Sequence, residues 1–151
     1  MNFKKMDLIL YFILFLLKNI ISLSEISITI KGAGNQKILN NLSLNGYTLD
    51  IKPSHIYIND ILQNYSDYMV YDLTEEENNI TMIWDIQIEN CNAMFYSLTN
   101  VVKIDLSKFD SSKVTIMNDM FFDCISLTSI IFDNFDTYLV NHMELFQKNP
   151  F

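Results

Sequence analysis

Three patterns of apolar and polar positions succeed one another along the chain. The first is an apolar run from Leu8 to Leu17, preceded by Lys4 and Lys5 and interrupted by Lys18 and Asn19 before Ile20 to Ser24. It falls short of the roughly 18 apolar residues of a spanning helix. Its basic-then-apolar order predicts a helical secretory signal over residues 1–24, with small residues suited to cleavage near Ser24. An uncleaved anchor over Leu8–Leu23 is the other reading, because the apolar stretch resumes after Lys18. The second pattern is alternation. Ile26, Ile28 and Ile30 alternate with polar residues, as do Ile56 and Ile58 after Pro53 and Val70 and Asp72 around Tyr71, so half-buried strands are expected. Gly32-Ala33-Gly34-Asn35 predicts a turn; it has neither the spacing nor the Lys-Ser/Thr pair of a phosphate loop. Glu75 to Asn79 reads as a solvated loop. Residues 25–79 are therefore expected to form a β-rich N-terminal cap on the remainder of the chain.

The third pattern is a tandem repeat in which position i matches position i+26. Asn92 meets Asn118, Met94 meets Met120, Phe95 meets Phe121, Phe109 meets Phe135 and Asp110 meets Asp136. Apolar class is kept where identity is not: Ile88 with Val114, Cys91 with Met117, Leu98 with Cys124, Val101 with Leu127, Ile104 with Ile130 and Leu106 with Phe132. Within a repeat region 80–151, units 88–113 and 114–139 are complete, and a third begins at residue 140 with one residue deleted. Apolar residues at 101, 104 and 106 have the spacing of a leucine-rich-repeat strand. Phe109-Asp110 and Phe135-Asp136 predict turns in which the ring buries and the carboxylate accepts backbone N–H groups. Met117, Met120 and Phe121 lie at i, i+3 and i+4, which predicts a short helix with one buried face. The fold expected is an α/β, β-rich solenoid: a leucine-rich-repeat stack of parallel short strands and short helices, behind the β-rich cap and the helical signal segment.

The sequences Asn92-Ala93-Met94-Phe95, Ile104 to Val114 and Met117-Asn118-Asp119-Met120-Phe121 resemble the repeat of BspA-type leucine-rich repeat surface proteins, over about Ile80 to Phe146. Leu98 stands where that repeat often has Cys, and Val101 where it has Leu. The resemblance implies a place at the cell surface and binding of matrix proteins or partner cells.

Composition narrows the partners. The chain has 10 Lys+Arg against 18 Asp+Glu, a net charge of −8, and every cation is a lysine. Without arginine there is no bidentate fork for phosphate or guanine, and net negative charge repels a polyanion, so nucleic acid is not an expected partner. Three N-x-[ST] sequons, at Asn41, Asn64 and Asn79, are candidate glycosylation sites between the signal and the repeats. Cys91 and Cys124 are expected as buried free thiols rather than a disulfide. His55 and His142 have no ligand-spaced partner, so no metal and no cofactor is expected. No nucleophile elbow, HExxH or Cys/His set points to an enzyme.

The expected function is a non-catalytic extracellular or cell-surface interaction module whose partner is a protein or a matrix or cell-surface ligand. Membrane contact is expected only through the N-terminal segment, if it is uncleaved. Alternation places Val102, Lys103, Asp105 and Ser107 outward in one unit and Thr128, Ser129, Ile131 and Asp133 in the next, and these eight are the candidate contact face. A structural, N-terminal fragment of a longer membrane-anchored surface protein is the alternative, because the third unit stops at Pro150-Phe151 without a polar cap. A secreted enzyme is the remaining class.

Overall fold

The computed structural model describes residues 24–40, 52–64, 66, 69–133, 135–141 and 145. The predicted signal or anchor segment before Ser24 lies outside these residues. Alternation is what builds the first strand, β1 (Ser24–Lys31): Ser24, Ile26, Ile28 and Ile30 are buried, while Glu25, Ser27 and Thr29 are only half-covered. Gly32 and Gly34, at φ 95° and 87°, then turn the chain into β2 (Gly34–Lys37). Next come β3 (His55–Ile58) and β4 (Ile61–Leu62), joined by Asn59 and Asp60. Both residues have positive φ, as a two-residue type I′ hairpin requires. β5 (Val70–Leu73) and β6 (Glu77–Trp84) come after them. The repeat region contributes β7 (Val101–Asp105) and β8 (Ser129–Ile131).

Six strands form one mixed sheet in the order β4-β3-β6-β1-β7-β8, and β2 pairs with β5 in a small second sheet. β1 is the organising strand, antiparallel to β6 on one side and to β7 on the other. Among the described strand pairs only β7–β8 is parallel, with Lys103, Ile104 and Asp105 opposite Ser129, Ile130 and Ile131. The inner face of the sheet joins one hydrophobic core. Ile26, Ile28, Ile80, Met82, Trp84 and Ile104 meet Leu39 and Leu73 there, together with Met94, Phe95, Met117 and Met120 of the repeat turns.

The fold is thus not the leucine-rich-repeat solenoid that the repeat predicts. It is a small β-rich domain on a six-stranded mixed sheet, with no helix among the described residues. Two physical reasons account for the difference. First, the strand of the first unit pairs antiparallel with β1, so it is an interior strand of a sheet begun elsewhere rather than one rung of a parallel stack. Second, the expected helices are replaced by chains of turns. Ala93 and Ser97 (φ 53° and 55°) and their counterparts in the second unit, Asp119 and Asp123 (φ 53° and 56°), are left-handed, which no right-handed helix admits. N–H groups of Met94, Tyr96 and Leu98 donate to the carbonyls of Cys91, Ala93 and Phe95, and those of Phe122, Cys124 and Leu127 to Asp119, Phe121 and Cys124. These tight turns still carry Met117, Met120 and Phe121 to the inside, so the apolar spacing is helical where the backbone is not.

The two units nevertheless lie against each other in register. N–H groups of Cys91, Ala93, Phe95 and Ser97 donate to the carbonyls of Ile116, Asn118, Met120 and Phe122 in the next unit. Phe121 N–H donates in the same way to Leu145 O of the third. Rings stack in the same register: Phe95 on Phe121 at 6.0 Å, Tyr96 on Phe122 at 4.8 Å and Phe109 on Phe135 at 5.9 Å. The Glu75–Asn79 loop expectation also changes. Glu77 already begins β6, and Asn78 is buried, donating to the carbonyls of Gly32 and Glu75.

Candidate functional site

The face of the large sheet that turns away from the core is polar, because period two sends every second residue of each strand there. Strand register lines these residues up in rows. One row runs Tyr57, Thr81, Ser27, Asp105, Ile131 across β3, β6, β1, β7 and β8. The next runs Asn79, Thr29, Lys103, Ser129. Neighbours within rows are bonded: Ser27 Oγ and Thr81 Oγ1 lie 3.2 Å apart, and Thr29 donates its hydroxyl to Asn79 Oδ1 at 3.1 Å.

At one end of this face lies a groove of about 500 Å³, lined by Thr29, Lys31, Glu77, Asn100, Val102, Lys103, Ser126, Thr128 and Ser129. Its shape comes from a bulge. β1 pairs Thr29 with Lys103 but Ile30 with Val101, so Val102 is the extra residue on β7. The Val102 carbonyl accepts both the N–H and the hydroxyl of Thr128, each at 3.0 Å. Asn100 closes the end, its carbonyl accepting Lys31 N–H at 3.0 Å and its amide donating to Gln36 Oε1 at 2.9 Å. Lys108 is held by Glu25 in an ion pair at 2.8 Å. By contrast, the ammonium groups of Lys31 and Lys103 have no carboxylate at ion-pair distance among the described residues.

The groove gathers Val102, Lys103, Thr128 and Ser129 of the eight candidate contact residues. Asp105 and Ser107 instead line a smaller recess of about 70 Å³ with Glu25, Ser27 and Lys108. There Asp105 Oδ1 accepts the Ser107 hydroxyl at 2.6 Å and the Ser107 N–H at 3.0 Å. The hydroxyl first, and then the N–H, hold the Asp105 carboxyl below the usual carboxylate range. Ile131 is half-buried and Asp133 exposed, and neither lines these two hollows. Thr29, Lys31, Glu77, Asn100 and Ser126 were not among the sequence candidates. Alternation in β1 marks Thr29 as outward, but nothing local says that β1 lies beside β7.

Of the sequons, Asn41 lies outside the described residues. Asn64 and Asn79 are exposed, and Asn79 stands in the same row as Thr29, Lys103 and Ser129. Cys91 and Cys124 are free and buried. Burial pushes the Cys124 thiol up to about 11 and the Cys91 thiol higher still, so both stay protonated and unreactive at ordinary pH. Cys124 donates to the Phe95 carbonyl at 3.0 Å. Among the described residues no three His, Cys, Asp or Glu side chains are placed to hold a metal ion. No described helix is long and apolar enough to cross a membrane.

Residues 65–150 match a family described as Mycoplasma protein of unknown function, DUF285. The match covers more than half of the chain, from β5 through β8, and leaves β1 and its Thr29 and Lys31 outside it. No curated protein and no solved structure matches.

Proposed function

The chain belongs to the DUF285 family, and we propose that it is a non-catalytic interaction module displayed outside the cell. In this reading the polar face of β1, β7 and β8 engages a protein, matrix or cell-surface ligand. The observation that carries it is the face itself. Side chains of residues far apart in sequence stand in fixed rows, and two of the strands that carry them, β1 and β7, are hydrogen-bonded to a neighbour on both sides within the sheet. Such a face has little conformational freedom to lose on binding, which favours recognition. The apolar segment before Ser24 and the three sequons support export, and the likeness of the repeat motifs to BspA-type surface proteins supports display at a cell surface.

The full chain, fluorescently labelled, is expected to attach saturably to intact cells or to an extracellular matrix preparation. Substituting Val102, Ser129 and Ile131 together by Glu is expected to weaken attachment at least about tenfold, the effect of unpaired charge at an interface core. Glu at Asn35 and Ser112, exposed and outside those rows, is expected to leave it unchanged. Attachment that survives the triple substitution in a folded protein removes this face from consideration.

A further inference from the structure

We propose that the groove over the Val102 bulge binds one carboxylate-bearing sugar residue of an acidic glycan. This ligand class rests on the interaction-module reading and deepens it. The chain is acidic overall, at −8, yet the groove lining holds two ammonium groups, Lys31 and Lys103, against one carboxylate, Glu77. Glu77 sits opposite Lys31 in the β1–β6 register without closing an ion pair, and Lys103 sits opposite Thr29 and Ser129. One net positive charge inside a negative molecule suits a single carboxylate. It suits a polyphosphate poorly, since that brings several charges and meets no arginine.

The rest of the lining fits the remainder of a sugar. Thr29 and Thr128 spend their hydroxyl protons on Asn79 Oδ1 and the Val102 carbonyl, so both present lone pairs to the groove. Ser126 and Ser129 add two more hydroxyls, and Asn100, whose side-chain amide donates to Gln36, keeps its side-chain Oδ1 as a further acceptor. A run of acceptors beside two ammonium groups is the complement of vicinal hydroxyl donors next to a carboxylate. Among the described residues of the lining Val102 is the one apolar side chain, which argues against an extended peptide, because peptides dock through buried side chains.

Two carboxylated sugars share this chemistry, the hexuronates and the sialates, and the test separates them. The full chain is titrated by calorimetry with a hexuronate hexasaccharide, its carboxyl-reduced neutral counterpart, and sialyllactose with lactose as its neutral partner. One acidic sugar is expected to bind at least about tenfold more tightly than its neutral partner, the loss of one hydrogen-bonded charge contact. Lys31→Gln and Lys103→Gln are each expected to weaken that binding about tenfold, while Lys108→Gln, whose ammonium belongs to the smaller recess, leaves it unchanged. Unchanged melting temperatures of the three variants show that the readout is binding and not folding. The proposal is overturned if the neutral sugars bind as well, if Lys31→Gln and Lys103→Gln bind like the parent, or if neither acid saturates by about 10 mM, the edge of specific affinity. Cell attachment that persists in that last case leaves the broader reading standing and removes only the sugar; loss of both removes both.

Discussion

In the first repeat unit Val101, Ile104 and Leu106 are fully buried, whereas their counterparts Leu127, Ile130 and Phe132 in the second are partly covered, Phe132 standing 40% exposed. Residue class at these positions is the same, so the difference lies in the neighbours. β7 is flanked by β1 and β8, while β8 pairs only with β7 among the described residues. On the turn side the two units do not differ: Cys91, Met94 and Phe95 are as deeply buried as Met117, Met120 and Phe121. An apolar pattern therefore states which side of a strand turns inward. How much water leaves that side is decided by a strand from elsewhere in the chain.

The two units differ most at Ile104, fully enclosed, and Ile130, partly covered. Ile104→Ala is expected to cost about 2–5 kcal/mol, the range for a fully enclosed aliphatic side chain that leaves a cavity. Ile130→Ala is expected to cost about 1–2 kcal/mol, because part of the side chain is already in water. Chemical denaturation of the two variants measures both, and equal costs would mean that β1 is not what makes the first unit's strand a core strand.

A smaller effect sharpens the turn side, where the units agree. Ser97 and Asp123 occupy equivalent left-handed positions at φ 55° and 56°. Their side chains share one exposed hydrogen bond at 3.3 Å, which contributes little in water. Ser97→Gly and Asp123→Gly are each expected to stabilise by up to about 1 kcal/mol, relief of backbone strain exceeding the entropy cost of glycine. Ser112→Gly, at an exposed position outside the left-handed region, is expected to destabilise slightly. Thermal melts of the three distinguish left-handed turns from the helices that the apolar spacing suggests, since glycine inside a helix destabilises at every position.

That spacing shows where sequence is readable and where it stops. Ile26, Ile28 and Ile30 declare an inward face by alternation alone, and the identities from Asn92 to Asp136 declare a repeat register that reappears as stacked rings and inter-unit hydrogen bonds. Neither declares a partner strand. β1 inserts beside β7 through pairings as distant in the chain as Ser27 with Asp105, and alternation carries no term for them. Asn78 misleads in the other direction: inside Glu75–Asn79 it reads as solvated, but its amide links β1's turn to the start of β6. Half of the groove shares this opacity. Lys103 and Ser129 are outward by period, whereas Thr29, Lys31 and Glu77 join them only once the antiparallel register is known.

The finest contrast between the units is electrostatic. Asp105 and Ser107 form a hydroxyl-and-amide turn after β7, and the equivalent positions after β8 are Ile131 and Asp133, which cannot repeat it. Because the folded-state carboxyl of Asp105 titrates below its unfolded value, its contribution is complete above the ordinary carboxylate range, about pH 4, and is lost as pH falls further through the folded value. Ser107→Ala removes the larger of the two hydrogen bonds. At neutral pH it is expected to cost under about 0.5 kcal/mol, since water screens a carboxylate at the surface. As pH falls through the folded-state value of Asp105 the variant and the parent are expected to converge, both carboxyls then being protonated. Carboxyl NMR titration should move the Asp105 midpoint upward in the variant. A midpoint that stays put, or a cost that grows as pH falls, would assign the depression to Lys103 and Lys108 instead of the turn, and the first unit would then differ from the second in its neighbours alone.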